Sequence, residues 1–275
     1  MLLGVRAHDF GKKSVEELAI QISDKGFTSI QLALSKAVAG IDNDLGKLSP
    51  GMANYIGHTF RKHHIQIAVL GCYINPIHPD PEIRKKSLNR FKEHIRYARD
   101  FGCSIIGTET GSLNADCSYH PDTCNPKTLE TFIDSISELV EEAEKFGVLV
   151  GIEGVTTHTI STPAKMKQVL DKIHSNNLQV IFDPVNLLDS TNYLNQDQII
   201  RESFELFGDR MVILHAKDFI MENQIKKPAV AGTGLLNWEM LMETLISTKP
   251  YIHILLEDTK PDTIDQSIAF FKQWR

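Results

Sequence analysis

No stretch of this 275-residue chain approaches the roughly 18 consecutive apolar residues that a membrane span needs. The opening segment MLLGVRAHDFGKKS lacks a basic stretch ahead of a long apolar one, so no signal peptide is expected and a cytoplasmic location is. Cysteine is scarce. Cys72, Cys103, Cys117 and Cys124 are too few for a dense disulfide framework at this length. The one clustered pair, in CSYHPDTC, places His120 between Cys117 and Cys124. Structural zinc sites use tighter cysteine pairs and four ligands, so this segment reads as a polar loop with free thiols. Blocks of lysine and arginine are missing too, and the formal net charge is −6. A protein that grips phosphodiester backbone normally presents a basic face, which argues against a nucleic-acid partner. Also absent is a glycine-rich fingerprint after the first strand candidate, which runs into RAHDFGKKS instead. That weighs against an open dinucleotide-binding sheet. With no linker, low-complexity tract or shift in composition, residues 1–275 read as one domain.

What is present is an ordinary globular composition, 42% hydrophobic and 23% charged. Apolar, β-branched runs recur: LLGV from Leu2, SIQLAL from Ser29, IQIAVL from Ile65, SIIG from Ser104, VLVGIE from Val148, LQVIFD from Leu178, MVILH from Met211 and IHILLE from Ile252. Helix-period stretches lie between them, among them SVEELAIQISDKG, EIRKKSLNRFKEHIRYARDFG, NPKTLETFIDSISELVEEAEKFG and TPAKMKQVLDKI. Their ends are punctuated. Ser14 with Glu17 forms a capping box, Pro126 and Pro163 open helices, and Gly26, Gly102 and Gly147 follow helix ends. Strand–helix alternation with near-continuous apolar strands predicts a parallel sheet covered by helices. Eight such units at this length match an α/β fold of the (β/α)8 TIM barrel class. The longest connections, SKAVAGIDNDLGKLSPG, GSLNADCSYHPDTCNPK and KDFIMENQIKKPAVAGTGLLNW, all leave the C-terminal ends of strands, where barrel active sites are built.

Four successive strand candidates end in metal-competent residues: Glu153 in VGIEG, Asp183 in VIFDP, His215 in VILHA and Glu257 in ILLED. Side chains alternate along a strand, so if these four point inward, so do Leu149, Gly151, Ile181, Met211, Ile213 and Leu255. Those partners are small or apolar, as a packed barrel interior requires. Three carboxylates converging in a low dielectric repel one another unless a cation sits among them. One divalent ion, Mn2+, Mg2+, Co2+ or Zn2+, resolves the conflict, and the ligand types alone do not choose between these. A single strand-end acid is often only a helix cap; four in a row are much harder to explain that way.

The order Glu, Asp, His, Glu on strands five to eight, together with FDPVN, LHAKDF, GTGLLNW and LLEDT, resembles the xylose isomerase-like TIM barrel superfamily, the sugar phosphate isomerase/epimerase group. The segment from GCYINPIHPDPEIRKK to SIIGTETG resembles its strand-three to strand-four region, and the likeness spans essentially the whole chain. The resemblance implies a metal-dependent, manganese-type isomerase or epimerase of carbohydrate metabolism. Its small-molecule substrate would be a sugar, sugar phosphate or polyol. Carried over residue by residue, Glu153 and Glu257 become an acid/base pair that also binds metal, with Asp183 and His215 as pure ligands. Oligomers are common in that group, and the apolar outer stripes of the helices offer surfaces for a homo-oligomer.

Around this site, Lys217 lies two residues beyond His215 and projects into the same pocket if strand parity continues; a solvated lysine paired with Asp218 is the alternative. His158 in EGVTTH sits on the loop above the metal, Glu109 ends strand four in GTETG, and His8 follows strand one. These, with Asn186, are the candidate substrate contacts. His63 and His64 close a helix, His94 lies within a charged one, and AGTGLLNW reads as a tight turn into a helix at Trp238. A dehydratase or other lyase could use the same metal site, because both chemistries pass through an enolate. A DNA-repair hydrolase of the endonuclease IV type would need three metals, a basic groove and an imidazole where Asn186 stands. A non-catalytic metal-binding protein would keep the ligands without turnover.

Overall fold

The computed structural model describes residues 2–274. The parallel strands are β1 (Leu2–Arg6), β2 (Ser29–Leu32), β3 (Gln66–Gly71), β4 (Ile105–Glu109), β5 (Leu149–Glu153), β6 (Leu178–Phe182), β7 (Met211–Ala216) and, after an inserted hairpin, β10 (His253–Leu256). The hairpin pairs β8 (Asp218–Glu222) with β9 (Ile225–Ala229). Barrel strands neighbour one another in sequence order, and β1 closes on β10. The eight apolar runs read from the sequence are these eight barrel strands, so the fold is a TIM barrel.

Helices follow each barrel strand and begin where local chemistry satisfies their first amides. Ser14 and Glu17 form a reciprocal capping box ahead of the helix Val15–Asp24. Asn125 caps the helix Pro126–Phe146, Thr162 caps Pro163–Lys172, and each has proline at its first position. Gly147 ends the first of these in the left-handed region at φ 62°, a conformation that favours glycine.

Two hydrophobic layers result. A large one lies between sheet and helices, and a small one, Ala68, Val69, Ile105, Ile181, Ile213 and Leu255, is associated with the barrel interior. Ile181 fills the space that Gly107 leaves: a Cβ on Gly107 would stand 2.7 Å from Ile181 Cδ1 and 2.9 Å from Val69 Cγ1. Truncating Ile181 to alanine would open a cavity there at a cost of about 2–5 kcal/mol. Leu149 packs against this inner layer as parity predicts, but Met211 belongs to the outer one. The reason is a register shift. Val180 pairs with Met211 and Ile181 with Ile213, so β7 carries one extra residue, Val212, and parity inverts across it.

The connection after β7 is more ordered than a long loop. Asn223 (φ 51°) and Gln224 (φ 63°) make a two-residue turn of the primed kind between β8 and β9. The following Gly-rich turn wraps Asp218, whose fully buried carboxylate accepts from the amides of Phe219, Gly232, Gly234 and Leu236 and from Trp238 Nε1, at 2.8–3.0 Å. AGTGLLNW is therefore a turn into the helix Trp238–Thr248, held by one anion.

Candidate metal centre

Glu153 is the last residue of β5, Asp183 follows β6, His215 is the fifth residue of β7, and Glu257 follows β10. All four are buried, and one donor atom from each lies within 4.8 Å of the others. Each backbone path has a local cause. Pro184 turns the chain off β6 into a short 3-10 turn, and Asp183 Oδ1 accepts from the Asn186 amide at 3.0 Å. Glu257 N donates to the Ala216 carbonyl at 3.1 Å, which extends the β7–β10 ladder by one residue.

Cations and donors hold the three carboxylates in place. Asn186 Nδ2 donates to Glu153 Oε1 at 2.6 Å, and His215 Nδ1 stands 3.2 Å from Glu153 Oε2. Lys217 Nζ is 2.9 Å from both Asp183 Oδ2 and Glu257 Oε2. Arg6 Nη1 reaches the other oxygen of Glu257, while its remaining nitrogens hold Asp9 (2.8 Å) and Asp258 (2.7 Å). Lys217 thus points into the centre and does not pair with Asp218. Adjacent residues on an extended strand face opposite ways, and Asp218 turns to its loop amides.

The electrostatics follow from burial plus these contacts. Burial pushes Asp183 up to about 7 despite the nearby Lys217. Burial works in the same direction on Glu257, but Lys217, His215 and Arg6 overcome it and hold that carboxyl well below the usual range. His215 is deeply buried, which disfavours its charged form, yet Glu153 and Glu257 raise it to about 9. Lys217 remains a cation for the same reason, with Asp183 and Glu257 outweighing its burial.

The donor set fits a divalent cation. Among the described residues, His215 Nδ1 and Asp183 Oδ2 are buried and have no aligned hydrogen-bond partner, although both face charged groups. His215 Nε2 lies 2.5 Å from Gln31 Oε1, which leaves Nδ1 turned toward the carboxylates. An imidazole held through one nitrogen with the other aimed at an acidic cluster is how metal-binding histidines are oriented. One imidazole with three carboxylates suits several first-row ions and magnesium.

The other sequence candidates surround this centre without entering it. Glu109 ends β4, and burial, then the charges of Glu153 and Glu257, push it up to about 7. His158 Nδ1 is 3.6 Å from Glu109 Oε2, and burial lowers the His158 pKa. His8 lies in the 3-10 turn Ala7–Phe10, where burial and then Arg6 and Lys36 lower it to about 3, so it is neutral. Asn186 touches Glu153 directly. His94, read from sequence as part of a charged helix, is completely buried and bonds back to the Arg90 carbonyl at 2.8 Å.

Sequence reasoning missed Arg6, Gln31 and Tyr73. Parity carried signals for two of them. Arg6 is two residues beyond Gly4, and Gln31 two beyond Ser29, each at an inward-facing position.

The family model described as xylose isomerase-like TIM barrel matches residues 20–274. A stretch of 176 residues is 22% identical to an uncharacterized protein of Methanocaldococcus jannaschii, covering 62% of this chain and 57% of that one. The matched region thus spans little more than half of that relative. A D-tagatose 3-epimerase-like protein has the same fold with a TM-score of 0.77 and 18% identity, over 100% of this chain and 97% of the other. The IolI protein, solved with a zinc atom, gives a TM-score of 0.73 at 15% identity, over 100% and 96% of the two chains. At these identities the likeness speaks for the fold.

Proposed function

The chain belongs to the xylose isomerase-like TIM barrel family, and from that premise we propose that it is a divalent-metal-dependent isomerase or epimerase of a small sugar, sugar phosphate or polyol. The observation that carries this reading is the convergence of Glu153, Asp183, His215 and Glu257, with His215 Nδ1 and Asp183 Oδ2 buried and, among the described residues, without aligned partners. These four residues would hold the ion. When bound, it would supply Lewis acidity that makes the proton beside a substrate carbonyl easier to remove. The names of the similar structures, an epimerase-like protein and a zinc-holding relative, point the same way.

The chain's own residues would divide the work. Glu153, steadied by the Asn186 amide, and Glu257, gripped by Arg6 and Lys217, come from strands on either side of β6 and β7. One would take the proton and the other return it, to the opposite face in an epimerase or to the next carbon in an isomerase. Asn186, proposed from sequence as a substrate contact, here orients Glu153 as well. Lys217 would bind an anionic or carbonyl oxygen of the substrate. Glu109, His158 and neutral His8 would accept or donate hydrogen bonds to its hydroxyls. The acidic net charge gives no support to a nucleic-acid partner.

The test is isotope exchange. Metal-loaded protein incubated with a panel of ketoses and ketose phosphates in D2O should place deuterium beside the carbonyl of at least one of them. Glu153→Gln and Glu257→Gln should each abolish it. Exchange that survives in both variants would remove the acid/base assignment.

A further inference from the structure

A buried glutamine on β2 links His215 on β7 to Tyr73 just beyond β3. Gln31 Oε1 is 2.5 Å from His215 Nε2, and Gln31 Nε2 is 2.5 Å from the Tyr73 hydroxyl. Tyr73, two residues past β3, is held from several sides. Its ring lies over Gly71, where a Cβ would stand 3.3 Å from Tyr73 Cε2. Its carbonyl accepts from Arg90 Nη2 at 2.6 Å, and Lys36 Nζ sits 3.9 Å from the ring centroid.

The polarity of this chain follows from chemistry. His215 carries a proton on Nε2 both as an imidazolium and as a ligand through Nδ1. An Nε2–H donor requires the Gln31 carbonyl as its acceptor, which fixes the amide. The Gln31 NH2 must then donate to Tyr73, whose oxygen is the acceptor in that bond. The phenol's own hydrogen is left to donate, and among the described residues it has no hydrogen-bond acceptor. Burial, followed by the charges of Glu153, Glu257 and Glu109, keeps the phenol protonated.

We propose that Tyr73 is a dedicated hydrogen-bond donor to a substrate oxygen, with its direction set by Gln31 acting as a positioning residue relayed from His215. This rests on the reading of the four-residue cluster as a metal site. It adds a selectivity: the β2–β3 side of the pocket favours an oxygen that only accepts, such as a carbonyl, carboxylate or enediolate oxygen of a polyhydroxy carbonyl compound.

The test uses Mn2+-loaded protein and acetohydroxamate, a small anionic chelator that presents acceptor oxygens, with both affinities measured by calorimetry. Tyr73→Phe should bind Mn2+ like the parent and acetohydroxamate about 10–100-fold more weakly, the size expected for a hydrogen bond to a charged group. Gln31→Glu would accept from both His215 and Tyr73, turning the phenol hydrogen away from the pocket. It should lose the same factor for acetohydroxamate with Mn2+ affinity undiminished. Gln31→Leu should weaken Mn2+ by about 10–100-fold, as loss of an outer partner of a ligand does. A packing role for Gln31 would not separate the Glu and Leu variants in this way. Parent-like acetohydroxamate binding by Tyr73→Phe or by Gln31→Glu overturns the proposal. If the parent takes up no Mn2+, the metal reading itself falls and takes this inference with it.

Discussion

Strands β5, β6, β7 and β10 reach the barrel rim with Glu153, Asp183, His215 and Glu257, all buried. Strands β1 and β2 reach the same rim with Arg6 and Gln31, and β3 leads into Tyr73 just beyond it. One side gathers negative charge. The other supplies donors aimed across the barrel: Arg6 grips Glu257, and Gln31 holds His215. Glu109 on β4 stands between the two, and burial followed by the charges of Glu153 and Glu257 pushes its pKa up to about 7. Lys217 is the exception, a donor rooted among the acids on β7's continuation. The contrast teaches that the acidic side is not self-sufficient. Its geometry depends on partners far away in the chain, 251 residues for Arg6–Glu257 and 184 for His215–Gln31.

Substitutions on the two sides should therefore differ in size and kind. The largest effect is expected from Glu257→Gln, which should lower isotope exchange by about 100-fold or more if this carboxylate transfers the proton. Arg6→Met should lower it by about 10–100-fold, because the variant keeps the carboxylate but removes the cation that grips it together with Asp9 and Asp258. Equal losses in the two variants, read by the same exchange assay, would erase the distinction between acting group and support.

Away from the rim, Asp218→Asn should leave Mn2+ affinity unchanged while costing at least about 2 kcal/mol of stability, since an amide nitrogen would face donors that now meet a carboxylate. Urea unfolding of the parent and variant checks this. A Mn2+ affinity that falls together with stability would tie the Gly-rich turn to the metal.

The smallest effect concerns pH. Glu109 has a folded pKa of about 7 against an ordinary 4.5, so the metal-free folded protein holds its proton more tightly than the unfolded chain. Stability should accordingly fall as pH rises from about 4.5 to about 7. Glu109→Gln should flatten that slope, measured as the shift in urea midpoint between pH 5 and pH 8. An unchanged slope would move Glu109 out of the acidic field.

The acidic side was the legible one. Its residues end apolar runs, and strand parity converts that pattern directly into a shared pocket. The donor side was hidden by the same rule applied too narrowly. Gln31 sits inside SIQLAL and looks like an ordinary polar interruption, although Ser29 and Gln31 alternate with buried Ile30 and Leu32. Arg6 and Tyr73 lie where strands give way to loops, and their partners are set by barrel closure, which no local pattern encodes. Met211 failed for a related reason, because the extra residue in β7 shifts parity and apolar composition does not reveal a bulge. For Asp218, adjacency to Lys217 suggested a pair, whereas a turn 14 to 20 residues away supplied four of its five donors.

On the proposed function, one divalent ion sits among the four strand-end residues and binds His215 through Nδ1. Anomalous diffraction from crystals grown with Mn2+ tests it most directly. A single strong peak is expected within bonding distance of Glu153, Asp183, His215 Nδ1 and Glu257, with Nε2 still bonded to Gln31. A map with no peak there, or with its peak at the Cys117–His120–Cys124 loop, would contradict it.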